Sequence, residues 1–129
     1  MNRRALVLFA HGARDPGWAA PFLRLQGMLQ AQRSDLTVAL AFLELMTPDM
    51  PACVAQLLAD GVDDITVVPV FLGLGGHVKR DLPQLIDRLR QAHPKVVFRV
   101  AAPVGEDDAV LAAMAHYCVA AAGGPTAGE

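Results

Sequence analysis

A glycine-rich stretch in the middle of the chain, from Asp64 to Pro83, places the tightest limit on the fold. It begins with a β-branched run, residues 65–70, that is interrupted by Pro69. Because proline cannot donate a hydrogen bond within a central ladder, a strand is predicted to end near Pro69. Three glycines follow, at Gly73, Gly75 and Gly76. We expect them to turn the backbone sharply and to let a flat ligand lie against it.

His77 comes directly after these glycines. From Val78 onward the apolar residues recur with a helical period, at Leu82, Leu85, Ile86 and Leu89, and Pro83 is expected in the first turn of that helix. The pattern therefore predicts an imidazole on a loop between a strand and a helix N-terminus. Ligands bind at this position in open α/β sheets.

Three further strands are predicted from apolar runs, at residues 5–10, 36–43 and 96–101. A helix follows each strand. The first begins at Asp15-Pro16 and ends near Gln32. It is predicted to bury Trp18, Phe22, Leu25 and Leu29 and to leave Gln26 exposed to solvent. Helix 2 opens at Thr47-Pro48-Asp49, and helix 4 carries Val110, Leu111, Met114, Tyr117 and Cys118. Right-handed crossovers between the four βα units predict a three-layer αβα domain with a parallel sheet. We expect its strands in the common order 2-1-3-4.

A length of 129 residues predicts one domain, residues 1–121, followed by a flexible tail, residues 122–129. The aromatic content of 5% and the net charge of -2 argue against nucleic-acid binding. No apolar run approaches the roughly 18 residues of a membrane span, so we expect no membrane insertion and a cytoplasmic location. Cys53 and Cys118 form no C-x-x-C pair, and both are expected to be reduced thiols in or near the core.

Three polar side chains fall at or after the ends of predicted strands. His11 follows strand 1, Glu44 ends strand 2, and His77 follows strand 3. In the order 2-1-3-4 these residues converge on the carboxyl edge of the sheet. Two imidazoles and a carboxylate suit a divalent transition metal, and they also accept protons near neutral pH. The alternatives are structural histidines and a Glu44 that pairs with Arg14 or caps a helix.

Positive charge is expected near the same edge, from Arg14, Lys79 and Arg80. Together with the N-terminus of helix 3, it favours an anionic ligand, although a solvated surface is the plain alternative. His93 and His116 are expected to lie away from the crevice.

Several segments in this order resemble the small sirohydrochlorin chelatases of cobalamin and siroheme synthesis. They are residues 9–16, residues 42–44 with Pro48, residues 68–72, residues 76–78 and residues 81–83. The resemblance spans nearly the whole chain and implies a chelatase-like fold. One departure is Ala13, where serine is common in the family, and another is the Gly-Leu-Gly-Gly loop.

The resemblance also implies roles for individual residues. His11 and His77 would bind metal, with His11 as the proton acceptor as well, and Glu44 would complete the catalytic set. Contacts to the tetrapyrrole would come from Glu44 and from Phe71, Leu72, Gly73, Leu74, Gly75 and Gly76, while Arg14, Lys79 and Arg80 pair with its carboxylates.

The same family reading implies that the metal, Co²⁺ or Fe²⁺, is a substrate and that no cofactor is permanently bound. The partners would be sirohydrochlorin or a related tetrapyrrole and a second copy of the chain, because larger relatives hold two such halves. Two rivals remain. One is a non-enzymatic carrier of metal or tetrapyrrole, and the other is a structural α/β subunit whose thermal stability does not respond to metal.

Overall fold

A computed structural model describes residues 3–124. The strands are β1 (Arg4–Ala10), β2 (Leu36–Phe42), β3 (Asp64–Pro69) and β4 (Val97–Val100). The α-helices are α1 (Ala20–Gln32), α2 (Met50–Ala59), α3 (Gly76–Ala92) and α4 (Asp108–Ala122). Two short 3₁₀ helices, η1 (Pro16–Ala19) and η2 (Val104–Glu106), precede α1 and α4.

The four strands form one parallel sheet in the order β2-β1-β3-β4, as predicted. In register, Ala10 lies beside Phe42 on one side, and Phe9 lies beside Pro69 on the other. β3 ends at Pro69, where the missing N–H was expected to stop the ladder. The carboxyl ends of the three longer strands therefore meet at one edge of the sheet.

Helices α2 and α3 cover one face of the sheet and α1 covers part of the other, which gives three layers. The strands are unbroken apolar runs and therefore need cover on both faces. The main core lies under α2 and α3. Its fully buried members include Val7, Phe9, Met50, Val54, Ile65, Val67 and Ile86. A smaller cluster of Ala10, Ala19 and Phe42 packs with Trp18 and Phe22 under η1 and α1.

Helix α1 differs from its prediction in two ways. None of its residues is fully buried, so the predicted stripe is only half-buried. Gln26 is also half-buried rather than wet, because its amide donates to the carbonyl of Val38 at 2.7 Å. Gln30 bonds with both Leu36 and Val38. These amides satisfy backbone groups of the edge strand β2 that would otherwise lack partners.

Helix α3 begins earlier than the sequence pattern suggested. It starts at Gly76, so His77 lies in the first turn rather than on the preceding loop. For the same reason Pro83 is inside the helix and not in its first turn, which leaves the backbone carbonyl four residues before it without a helical N–H partner.

Helix α4 is the element that departs most from expectation. Fourteen of its fifteen residues are exposed and Val110 is half-buried, so the side chains predicted on it join no core. Cys118 is consequently exposed, and its prediction as a near-core thiol is wrong, whereas Cys53 is buried as expected. Residues 125–129 of the predicted tail lie outside the described residues, so the domain boundary stays a prediction. Within residues 3–124, no helix combines the length and apolarity that crossing a bilayer requires.

Candidate functional site

The carboxyl edge of the sheet brings together two of the predicted site residues, His11 and Glu44. His11 directly follows β1, and Glu44 lies two residues after β2. The Nε2 atom of His11 is 3.0 Å from Oε1 of Glu44, and each side chain is about half exposed. Glu44 therefore pairs with the imidazole and not with Arg14, which was the alternative.

The backbone holds this pair in place beyond the last residues of the strands. The amide of Leu43 donates to the carbonyl of Ala10 at 2.9 Å, and the amide of Glu44 donates to the carbonyl of His11 at 3.1 Å. Gly12 has φ +96°, and a Cβ at this position would lie 1.8 Å from the carbonyl oxygen of Glu44. Only glycine permits so close an approach, which sequence pattern alone did not reveal.

His77 has a carboxylate partner of its own. Its Nε2 is 3.1 Å from Oδ2 of Asp81, and the imidazole is 75% exposed. Sequence reasoning missed Asp81 as a functional residue, although its position four residues after His77 on a helix could have indicated the contact. The Nε atom of Arg80 also lies 3.9 Å from Oδ1 of Asp81.

The loop between β3 and α3 touches His11 through Phe71. The rings of Phe71 and His11 meet edge to face with centroids 6.2 Å apart, and Phe71 packs similarly on Phe9 at 5.9 Å. Leu72 is 66% exposed beside them. Phe71 thus anchors the loop to the histidine while the next residue stays open to solvent.

The backbone conformation of this loop does not depend on its glycines. Neither Gly73, Gly75 nor Gly76 has a left-handed φ, and a Cβ on any of them would meet open space. The backbone does bend at residues 71–73, as predicted, but this bend does not require glycine. The other role predicted for these glycines, to leave space for a ligand against the backbone, stays a prediction.

Two hollows lie near the carboxyl ends of the strands. One of about 420 Å³ lies beside Glu44 and includes Leu45, which adopts φ +67° and is 54% exposed. A second, of about 290 Å³, lies between α3 and the ends of β3 and β4, with Leu74 and Lys79 in its wall. Arg14 is exposed near His11 in sequence. The predicted positive charges are therefore accessible to a ligand.

The arrangement consists of two imidazole–carboxylate pairs rather than one closed metal centre. Within residues 3–124, no three His, Cys, Asp or Glu side chains are grouped so that they could hold a metal ion together. Joint metal binding by His11 and His77 stays a prediction. His93 follows the end of α3 opposite to His77, and His116 is exposed on α4.

Each pair offers an imidazole whose Nε2 faces a carboxylate. Among the residues that the structure describes, the other ring nitrogen of each histidine has no hydrogen-bond partner and is available to a ligand. A carboxylate beside an imidazole fixes the ring orientation and raises its basicity. Such groups bind a metal ion or accept a proton.

Comparisons with known proteins point in one direction. A sirohydrochlorin cobaltochelatase of Methanopyrus kandleri is 37% identical over 82 residues, which is 64% of this chain and 57% of that protein. A cobalamin (vitamin B12) biosynthesis CbiX protein from Marinobacter aquaeolei has a similar structure, with TM-score 0.78 and 31% identity over 89% of this chain and 93% of that one.

A third similar protein is the sirohydrochlorin chelatase SirB of Bacillus subtilis subspecies spizizenii, solved in complex with cobalt. Its TM-score is 0.77 at 26% identity, and the match covers 92% of this chain but 50% of that one. The chain thus spans only about half the length of some relatives. The sequence pattern of the CbiX family matches residues 5–119. With that match over most of its length, the chain belongs to the CbiX family.

Proposed function

We propose that this protein inserts a divalent metal ion, cobalt or ferrous iron, into sirohydrochlorin or a closely related tetrapyrrole, as a step of cobalamin or siroheme biosynthesis. The observation that carries the proposal is the His11–Glu44 pair at the carboxyl edge of the sheet. The names of the similar proteins from Methanopyrus and Bacillus support the choice of reaction.

Metal insertion needs two pyrrole N–H protons to leave the ring while the metal enters. We assign His11 as the group that accepts a pyrrole proton and also meets the metal. Glu44, 3.0 Å from Nε2, would stabilise the imidazolium that forms when the proton arrives. His11 lies at a strand end and against Phe71, so its ring is held in one orientation.

His77 is assigned to metal delivery. Its imidazole is 75% exposed in the first turn of α3, and Asp81 holds its Nε2 side at 3.1 Å. A metal-ligating histidine commonly has such a carboxylate partner, which orients the ring and strengthens it as a ligand. An exposed ligand also releases its metal readily, which a chelatase requires.

The tetrapyrrole would lie along the loop from Phe71 to Gly76, where the open glycines leave space for a flat ring. Leu45 and Leu72 add exposed apolar surface on the two sides of His11. The peripheral carboxylates of the substrate would pair with Arg14, Lys79 and Arg80. One protomer covers one face of a macrocycle, so we propose that the working form is a homodimer.

The test is anaerobic incubation of the purified protein with sirohydrochlorin and Co²⁺ or Fe²⁺, followed by absorbance of the metallated product. The parent should form product, His11→Ala should form little, and His93→Gln should match the parent because that imidazole follows the far end of α3. Binding of metal and tetrapyrrole without product would instead favour the carrier, and no binding of either would leave only a structural subunit.

A further inference from the structure

Helix α4 packs on the short helix η2 and leaves the rest of its surface open within the described residues. Fourteen of its fifteen residues are exposed, including Leu111, Met114, Tyr117 and Val119. Its sequence, DAVLAAMAHYCVAAA, is apolar around most of its circumference, with one charged residue, Asp108. A lone helix of this length is marginal in water, and one that is apolar on all sides is normally buried. The helix therefore requires a surface to pack on.

An uncovered sheet surface lies on the face that carries α1. Register places Leu6 beside Thr66 and Thr66 beside Arg99, so these side chains share that face, and Val68 and Val97 continue it. Helices α2 and α3 cover the opposite face, and α1 lies against β2. We define the open half-face as five residues that are half-buried or exposed: Leu6, Thr66, Val68, Val97 and Arg99.

The helix of the same chain is held away from this surface. The amide of Gly105, in η2, donates to the carbonyl of Phe71 at 3.0 Å, and a Cβ on Gly105 would lie 1.7 Å from the carbonyl oxygen of Leu72. This tight contact fixes where α4 leaves the sheet. From that point α4 packs on η2 and leaves the open half-face of its own chain uncovered.

Charge on the two surfaces is complementary. Arg4 and Arg99 share a single buried carboxylate, Asp64, so the base of the open half-face keeps an excess positive charge. Helix α4 begins with two acidic residues, Asp107 as its N-cap and Asp108 in its first turn. A partner helix would therefore bring negative charge and apolar side chains together.

We propose that α4 of one copy packs on the open half-face of a second copy, which returns its own α4 to the first. Both surfaces are present in every chain, so one two-fold axis makes two identical contacts and leaves no helix unpartnered. At 1.5 Å per residue, fifteen residues give a helix of about 22 Å, long enough to cross the neighbouring strands β1, β3 and β4.

This inference deepens the proposed homodimer by naming its contact, and it rests on no step of the chelation chemistry. It also links the contact to the candidate site. The residue that fixes the course of α4, Gly105, binds the carbonyl of Phe71, whose ring lies against His11.

Sedimentation velocity at micromolar concentration tests the contact. The parent should sediment as a dimer, and the double variant Met114→Glu/Tyr117→Glu should sediment as a monomer. Far-ultraviolet circular dichroism should show that this variant remains folded. The matched control, Ala55→Glu/Ala59→Glu on the exposed side of α2, should remain dimeric. A monomeric parent would overturn both this contact and the proposed homodimer. A dimeric parent with a dimeric α4 variant would overturn the contact alone.

A mixing experiment tests the exchange itself. Val97→Glu places a charge on the open half-face and should also give a monomer. Mixed with the α4 variant, it should form heterodimers, because the intact α4 of one chain meets the intact half-face of the other. Dimers of Val97→Glu alone would indicate helix-to-helix packing and overturn the exchange, as would a mixture that stays monomeric.

Discussion

At the scale of single residues, the two histidines have the same chemical partner but different supports. His11 is fixed by a strand end, by Glu44 and by the Phe71 ring, whereas His77 stands 75% exposed on a helix with Asp81 as its neighbour. A fixed imidazole suits proton transfer, which depends on geometry. An exposed one suits the capture of a metal from solution.

This difference predicts different responses to added metal. His11→Ala and His77→Ala should both lower turnover, but excess Co²⁺ should restore His77→Ala better. A high metal concentration restores occupancy of a weakened metal site but cannot replace a missing base. Removal of a catalytic base lowers the rate about a hundredfold or more. Initial rates across a metal titration measure this. Rates within about twofold of the parent for both variants at limiting metal would return the histidines to a structural role.

Glu44→Gln should weaken catalysis more than metal binding. The change removes the negative charge 3.0 Å from the His11 ring but leaves both imidazoles present. We expect turnover to fall about 10- to 100-fold, as for other carboxylates that support a functional histidine. Steady-state kinetics and calorimetric Co²⁺ binding would separate the two effects.

The control for this variant is Asp35→Asn, since Asp35 is a surface carboxylate whose pKa is lowered to about 2 by its hydrogen bond to Arg33. It should retain parental turnover. A Glu44→Gln enzyme that loses Co²⁺ affinity in proportion to turnover would contradict a role in proton transfer.

At the scale of elements, the sequence predicts those strands and helices whose residue pattern is local. Apolar runs without alternation identified the four strands. The common order 2-1-3-4 then placed strand 1 beside strand 2, so the position of His11 beside Glu44 followed from topology. The start of α3 was misplaced because glycine and histidine are weak helix formers, and tertiary context overrides that preference.

Contacts between distant backbones could not be predicted in the same way. The need for Gly12 arises from the carbonyl of Glu44, and the need for Gly105 from that of Leu72. The neighbouring sequence does not distinguish these two glycines from the loop glycines that meet open space. The exposure of α4 was likewise hidden, because its composition is that of a buried helix.

Gly12→Ala should therefore destabilise the fold and Gly73→Ala should not. At Gly12 the φ is +96° and the added Cβ overlaps a backbone carbonyl, whereas at Gly73 it meets nothing within 4 Å. We expect a loss of about 2 kcal/mol or more for Gly12→Ala, measured by urea denaturation. Equal midpoints for the two variants would contradict the backbone geometry of the His11–Glu44 pair.

Helix α2 gives a prediction about pH. Burial raises the pKa of the Cys53 thiol from 9.0 to about 11, so the folded chain keeps this proton over a range in which the unfolded chain releases it. The buried thiol thus favours folding below pH 9.0, and that contribution is lost as the pH rises toward about 11. In a Cys118→Ser background, a thiol reagent at about pH 8 should label only the denatured protein. Rapid labelling of the folded protein would contradict the burial of Cys53.

At the scale of the whole molecule, the candidate site is open where a macrocycle needs a second wall. His11 and Glu44 are each about half exposed, and Leu45 and Leu72 expose apolar surface on either side. A tetrapyrrole against this edge would keep one face in water. In the proposed homodimer, a second copy of the chain would supply the missing cover.

Activity should then depend on protein concentration. On dilution through the dimer dissociation range, rate per chain should fall in step with the dimer fraction, because the monomer offers an incomplete substrate site. The Met114→Glu/Tyr117→Glu variant should have a raised KM for the tetrapyrrole at every concentration, while its Co²⁺ affinity stays close to that of the parent, since its histidines and their carboxylates are unchanged. Constant activity per chain across the whole dilution series, with sedimentation recording monomers at its lower end, would place the complete site within one protomer.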